Sequence, residues 1–326
     1  MADLPTHIHI TEEGPREGFQ FEKGEIATAR KIALIDALSD TGVSQIQIVS
    51  FVHPKAVPQM ADAEAVVAGI TPRAGVEYTG LWLNQRGLER AMATGRLHLE
   101  GSLALTASAA FLERNQKRTL ADNLADQREM AAAYKAAGIP VTRGSIMAAF
   151  GCNFEGPIPV GRVVAQVAEI LELAAERGEV IAMMNFSDTM GWATPRGIKS
   201  VIGAVRDRWP DLPLSLHLHD TRGMGIANAM AGLEMGVAHF DTCVGGLGGC
   251  PFAGNRAAAG NVCTEDLVFL CQDLGIETGI DLDCMVEAAR LAEEIVGHPL
   301  PGSVKEGGSL SGWRRLGGGA RHVATA

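Results

Sequence analysis

The chain has 326 residues, of which 47% are hydrophobic and 39 are glycine, and its formal net charge is −10. A length of this order suits one large domain with a well-buried core; the acidic balance argues against nucleic acid or an anionic membrane as partner, and no apolar run reaches the roughly 18 residues of a membrane span. Six cysteines without CxxC spacing (Cys152, Cys243, Cys250, Cys263, Cys271 and Cys284) and the lack of a basic-then-apolar leader point to reduced thiols and a cytoplasmic protein.

Apolar strand-like runs alternate with amphipathic helical segments along the chain. The pattern predicts a strand over 6–11 and a helix over 25–38, then a strand over 43–50 with a short helix within 58–69. Strands over 75–79, 97–105 and 140–147 precede helices over 84–94, 120–137 and 160–176. Strands over 180–186, 212–219 and 237–244 precede helices over 195–208, 225–235 and 265–274. Eight strand–helix units predict an α/β fold, a (β/α)8 TIM barrel, over residues 1–279. An open doubly wound sheet is the second choice, because it usually has fewer units. Residues 280–326 read as a C-terminal helical extension, a helix over 283–296 and a glycine-rich tail, packing on the barrel. No internal repeat or low-complexity tract interrupts the chain.

The chemistry is densest at 214–223. There Leu214, Leu216 and Leu218 alternate with Ser215, His217 and His219, so one strand face is apolar and the other carries two imidazoles about 7 Å apart. Such a pair is either a hydrogen-bonded feature of the barrel interior or two ligands of one ion. In a barrel, catalytic residues follow the strands at the carboxyl face, and the unusual polar residues do so here: Arg16 and Glu17 after the first strand, Ser50 closing the second, Asp188 after the sixth, Cys250 and Asn261 after the eighth.

The turn Gly14-Pro15-Arg16-Glu17-Gly18 sets a cation beside a carboxylate. By itself it reads as a surface ion pair; opposite His217 and His219, Glu17 completes a two-histidine, one-carboxylate set with open positions, compatible with Mg, Mn, Co or Zn. Arg16 is then free to stabilise negative charge on a substrate carbonyl. Gly245-Gly246-Leu247-Gly248-Gly249-Cys250 is a glycine-dense loop with one thiol, suited to proton transfer. Thr264 reads as a helix N-cap, and Asn261 can present an amide oxygen as a fourth ligand. Asp188 is either a base or a carboxylate supporting the site, and Asp220 either orients His219 or caps the strand end.

These pieces, with Ser50-Phe51-Val52, Val57-Pro58-Gln59-Met60, Gly151-Cys152-Asn153-Phe154-Glu155-Gly156 and Gly260-Asn261, resemble the hydroxymethylglutaryl-CoA lyase family of metal-dependent TIM-barrel lyases and Claisen-type synthases. The resemblance covers nearly the whole chain. It implies a retro-Claisen cleavage of a 3-hydroxyacyl-CoA to acetyl-CoA and an oxo acid, acetoacetate for hydroxymethylglutaryl-CoA, in acyl-CoA metabolism such as leucine degradation. It implies a divalent metal, magnesium or manganese ahead of zinc or cobalt, held by Glu17, His217, His219 and Asn261. Arg16 would stabilise the enolate, Cys250 protonate it, and Asp188 or His219 remove the hydroxyl proton; Gln20, Gln47, Ser50 and Arg16 would touch substrate. The partners implied are a CoA thioester and a second copy of the chain, as a homodimer or larger homo-oligomer. Glu17 stands where the family carries Asp, and Gln47 where it carries Glu. These departures make citramalyl-CoA, methylmalyl-CoA or a prenyl-extended hydroxyglutaryl-CoA the nearest alternative substrates; a Claisen-condensing synthase is more distant.

Overall fold

A computed structural model describes residues 4–249 and 260–310. Its sheet has eight parallel strands: β1 His9–Glu12, β2 Gln45–Ser50, β3 Glu77–Leu81, β4 Gly101–Thr106, β5 Val141–Met147, β6 Met183–Ser187, β7 Leu214–His217 and β8 His239–Thr242. The helices are α1 Thr28–Ser39, α2 Ala63–Gly69, α3 Gln85–Ala93, α4 Ala109–Gln116, α5 Leu120–Ala137, α6 Val160–Ala175, α7 Pro195–Arg208, α8 Gly225–Glu234, α9 Thr264–Asp273, α10 Leu282–Val296 and α11 Val304–Gly307. The expected strand–helix alternation is present. The predicted strands mostly begin early, where flanking apolar residues such as Val43, Ile181 and Val237 are buried without joining the ladder. Helix α4 and a small hairpin, Gly151–Cys152 with Gly156–Pro157, were not in the pattern. Ser108 starts α4 by accepting from the Phe111 N–H at 3.1 Å, a cap on a helix of only two turns.

Leu103 and Leu105 of β4, Phe186 of β6 and Leu214 and Leu216 of β7 turn outward, with Phe240 of β8, into the helix layer, where all are buried. Each strand's other face lines the interior, as period two requires. Strand order runs β3-β2-β1-β8-β7-β6-β5-β4, with every neighbouring pair parallel. The ends of that order, β3 and β4, meet without a ladder, bridged by a backbone bond from the His98 N–H to the Tyr78 carbonyl at 2.8 Å. Helix α5 satisfies the free edge of β4 instead. Ala104 N donates to Gln127 Oε1 at 2.8 Å, Thr106 N to Asn123 Oδ1 at 3.2 Å, and Asn123 Nδ2 to the Ala104 carbonyl at 3.3 Å. Buried strand-edge amides must find such partners.

Beyond the barrel, α10 packs on α1, α9 and the Val244–Gly246 turn. Leu300 lies against Gly245, and Lys305 ion-pairs with Glu293 and Glu306. No helix among the described residues is long and apolar enough to cross a membrane.

Candidate active site

At the carboxyl end of β1 the chain enters one wide helical turn, Gly14–Gly18, in which the N–H groups of Arg16 and Glu17 both return to the Glu13 carbonyl, at 3.0 and 2.7 Å. Glu12, fully buried beneath it, accepts from Gly14 N at 2.7 Å and Val244 N at 2.9 Å, and Thr264 Oγ1 donates to its other oxygen. A Cβ at Gly14 would lie 2.6 Å from that carboxylate, so the turn needs glycine there. One carboxylate thus ties together the turn after β1, the glycine turn after β8 and the start of α9. Thr264 is therefore a tie to Glu12 and not a helix cap; the cap position of α9 is Cys263, without a side-chain bond.

The turn delivers Arg16 and Glu17 to His217 and His219 of the seventh unit. Glu17 Oε1 lies 3.4 Å from His217 Nε2 and 3.6 Å from His219 Nε2, and these three donor atoms form a compact buried group. Such separations are long for hydrogen bonds, yet they match two ligands of one ion at bond lengths of about 2.1 Å. The His219 Nδ1 is 2.8 Å from the Asp188 carbonyl. A carbonyl only accepts, so Nδ1 carries the proton and Nε2 keeps its lone pair turned to Glu17. The His217 Nδ1 faces Glu13 Oε2 and Asp241 Oδ2, each at 3.6 Å, which sets its Nε2 the same way. Asp241 is held in turn by Asn185 Nδ2 at 2.8 Å.

Arg16 donates through Nη1 to Glu17 at 2.7 Å and through Nη2 to Glu13 at 2.5 Å, while its Nε is buried with no partner among the described residues. Burial pushes Glu17 upward, but His217 and Arg16 outweigh it and hold the carboxyl well below the usual range. Burial likewise lowers His217, yet Glu17, Asp241 and Glu13 overcome it and keep the ring well above the ordinary histidine value. Glu13 goes the other way, raised by desolvation to about 7 despite Arg16. Three buried carboxylates around Arg16 and the imidazoles make this a place that favours added positive charge.

Glu17, Arg16, His217 and His219 line one cavity of about 750 Å³ that occupies the barrel interior, with Gln20 and Gln47 on its wall. The Oε1 atoms of both glutamines are buried and have no partner among the described residues. Asn261 adjoins the group: its Nδ2 donates to Glu17 Oε1 and to the Leu247 carbonyl, both at 3.3 Å, and its Oδ1 is buried without a partner among the described residues. Gly248, at φ +92°, lets the glycine loop close on that amide, since a Cβ there would sit 2.8 Å from Asn261 Nδ2.

Other expected residues are elsewhere. Ser50, at the end of β2, is fully buried and is not among the residues that line the cavity; its hydroxyl has no partner among the described residues. Asp188 is not a lining residue either. Its Oδ1 accepts from the N–H groups of Trp192 and Ala193, at 2.7 and 2.9 Å, its Oδ2 is buried with no partner among the described residues, and its carbonyl stands behind His219. Asp220 does not orient His219; its Oδ1 accepts from Gly225 N at 2.6 Å and caps the turn into α8. Cys250 lies outside the described residues. The residues missed in the sequence are Glu13, Asn185, Asp241 and Arg143, all on the cavity wall. The signal available was a polar residue at an inward-facing position of an apolar strand, such as Asp241 within 237–244.

A family model described as HMGL-like matches residues 7–292. Hydroxymethylglutaryl-CoA lyase YngG of Bacillus subtilis (strain 168) is 37% identical over 297 residues, 91% of this chain and 96% of that protein. The mitochondrial hydroxymethylglutaryl-CoA lyase of Gallus gallus is 40% identical over 284 residues, 87% of this chain and 92% of that one. The crystal structure of the Bacillus subtilis HMG-CoA lyase aligns with a TM-score of 0.86 at 36% identity, covering 94% of this chain and 99% of its own. An HMG-CoA lyase from Acinetobacter baumannii in complex with coenzyme A and 3-methylmalate aligns with a TM-score of 0.84 at 36% identity, covering 95% and 98%.

Proposed function

The chain belongs to the HMGL-like family and is a carbon–carbon lyase of the hydroxymethylglutaryl-CoA lyase type; on that premise we propose that it cleaves hydroxymethylglutaryl-CoA, or a close 3-hydroxyacyl-CoA, to acetyl-CoA and an oxo acid. What carries the reading is the convergence of Glu17 Oε1 and both histidine Nε2 atoms beside Arg16 at the carboxyl end of the barrel. A divalent metal, magnesium or manganese ahead of zinc or cobalt, fits a donor set of Glu17, His217, His219 and Asn261. The unpaired Asn261 Oδ1 supports it, because a half-turn of the amide exchanges that oxygen with the nitrogen now facing Glu17. When bound, such an ion supplies Lewis-acid polarisation of the substrate's hydroxyl and carbonyl oxygens.

The protein's own groups supply the rest. Glu13 and Glu17 hold the guanidinium of Arg16 in one plane, leaving its unpaired Nε–H to donate to the thioester oxygen as enolate charge develops there. A His219 whose Nε2 holds an ion has no lone pair left for a proton, and Asp188, held through its Oδ1 by backbone N–H groups, is not among the residues that line the cavity. The carboxyl placed to receive the hydroxyl proton is therefore Glu13, on the cavity wall beside Arg16. Asp188 then becomes a positioning residue, fixing the His219 ring. The Cys250 thiol, with an ordinary value near 8.5, remains the group proposed to protonate the enolate carbon. The free thiols of Cys152, Cys243, Cys263, Cys271 and Cys284 accord with a reducing, cytoplasmic setting, and the exposed barrel helices with a homodimer or larger assembly.

The test is acetyl-CoA release by purified protein with magnesium or manganese. Release from hydroxymethylglutaryl-CoA that a chelator stops is the expected result. Cleavage confined to citramalyl-CoA or methylmalyl-CoA would move the substrate and keep the chemistry, and no cleavage of any such thioester would sink the reading.

A further inference from the structure

At the end of the barrel opposite the candidate active site, the chain carries a second pair of histidines one residue apart. His7 and His9 flank Ile8, which is fully buried, so both imidazoles stand on the other side of the extended chain, where they are exposed. β8 runs parallel to β1 with His239 in register with His9, and each is the first residue of its strand. The His7 and His9 rings meet edge to face with centroids 4.7 Å apart, and those of His9 and His239 stack at 4.8 Å. The two imidazoles of the active site are farther apart, at 5.2 Å. The backbone beneath the three rings is fixed from both sides. Ile8 N donates to the Glu277 carbonyl at 2.9 Å, Glu277 N to the Thr6 carbonyl at 3.0 Å, and His9 N to the Ala238 carbonyl at 2.8 Å. None of the three rings is hydrogen-bonded or ion-paired to another described residue.

We propose that His7, His9 and His239 form a binding site for one divalent transition metal of the zinc, nickel or copper class at the amino-terminal face of the barrel. Imidazole nitrogen suits such ions, whereas magnesium and calcium take oxygen. In this the trio differs from the Glu17 group, whose carboxylate gives it a mixed donor set. The rings pack on one another and do not point at a common centre. Exposed rings turn between rotamers at small cost, which brings neighbouring nitrogens onto one ion, and water completes its coordination. Burial, and then the imidazole of His7, pushes His9 below the ordinary histidine value; burial, and then His9, pushes His239 down to about 4. Neutral rings present lone pairs, which suits a cation and not an anion, and the chain's net charge of −10 favours the same sign. An ion shared by His9 and His239 ties the first barrel strand to the last. None of the three histidines lines the catalytic cavity, so binding there does not depend on the lyase chemistry.

The experiment titrates the tag-free full chain with Ni2+ by calorimetry, in a His219→Ala background that removes the competing Glu17 group. One Ni2+ per chain should still bind. Adding His7→Ala, at an exposed position, should weaken that binding about tenfold or more, and adding His9→Ala, which removes the ring between the other two, should abolish it. Ni2+ should also raise the thermal unfolding midpoint of the His219→Ala chain, and fail to raise it once His9 is replaced as well. With Cu2+ in place of Ni2+, the electron paramagnetic resonance spectrum should show splitting by at least two nitrogens. No uptake of Ni2+ by the His219→Ala chain overturns the proposal. Uptake that neither His7→Ala nor His9→Ala weakens overturns it equally, by placing the ion on other residues.

Discussion

The two sides of this barrel are built differently. On the β1–β8–β7–β6 side every strand is laddered to its neighbour, and the interior is crowded with ionisable groups: Glu13, Glu17, His217, His219 and Asp241, cross-tied by Arg16, Asn185 and the buried Glu12. On the β3–β4 side the ladder is missing, α5 side chains hold the strand edge, and the wall mixes Leu81, Trp82, Phe111 and Met130 with Thr79, His98, Glu100 and Ser102. Groups that must converge within a few ångströms stand on continuous backbone ladders, where small displacements are resisted. The β4 edge, which carries none of the groups gathered around Arg16, stands on a side-chain patch instead.

Loss of either imidazole should break the first side most completely. His219→Ala is expected to abolish turnover and to remove bound metal, read by elemental analysis of dialysed protein; full metal content would refute its role as ligand. Glu13→Gln keeps the shape and removes the proton acceptor, so kcat should fall by about 10²–10⁴-fold with metal retained. An unchanged rate would return the base to another residue. Arg16→Met should cost about 10²–10³-fold in kcat, again with metal retained. Asp241→Asn loosens the Nδ1 partner of His217, and metal affinity should drop about 10–100-fold by titration calorimetry.

The other side should respond in stability instead. Gln127→Ala strands the Ala104 N–H, at a cost of about 1–3 kcal/mol in urea unfolding, while kcat on a short substrate stays near its starting value. A large loss of kcat would show that the two sides are not separable.

The strand–helix alternation, the outward leucines of β7 and the positions of Arg16, Glu17, His217 and His219 at or just past strand ends were all legible in the residues. Each follows from local periodicity combined with the rule that barrel chemistry gathers at one face. Tertiary structure alone decided the rest. Asp188 and Asp220 look in sequence like carboxylates of the site, yet each gives its Oδ1 to nearby backbone N–H groups, a competition that residue type does not reveal. Glu13 looks like a second acid before a turn and becomes part of the site because the wide turn folds Arg16 back onto it. The opening between β3 and β4 left no trace in the pattern of apolar residues. It depends on which partner reaches the amides of one strand edge, Gln127 and Asn123 from a helix or the neighbouring strand, and period-two alternation is the same in either case.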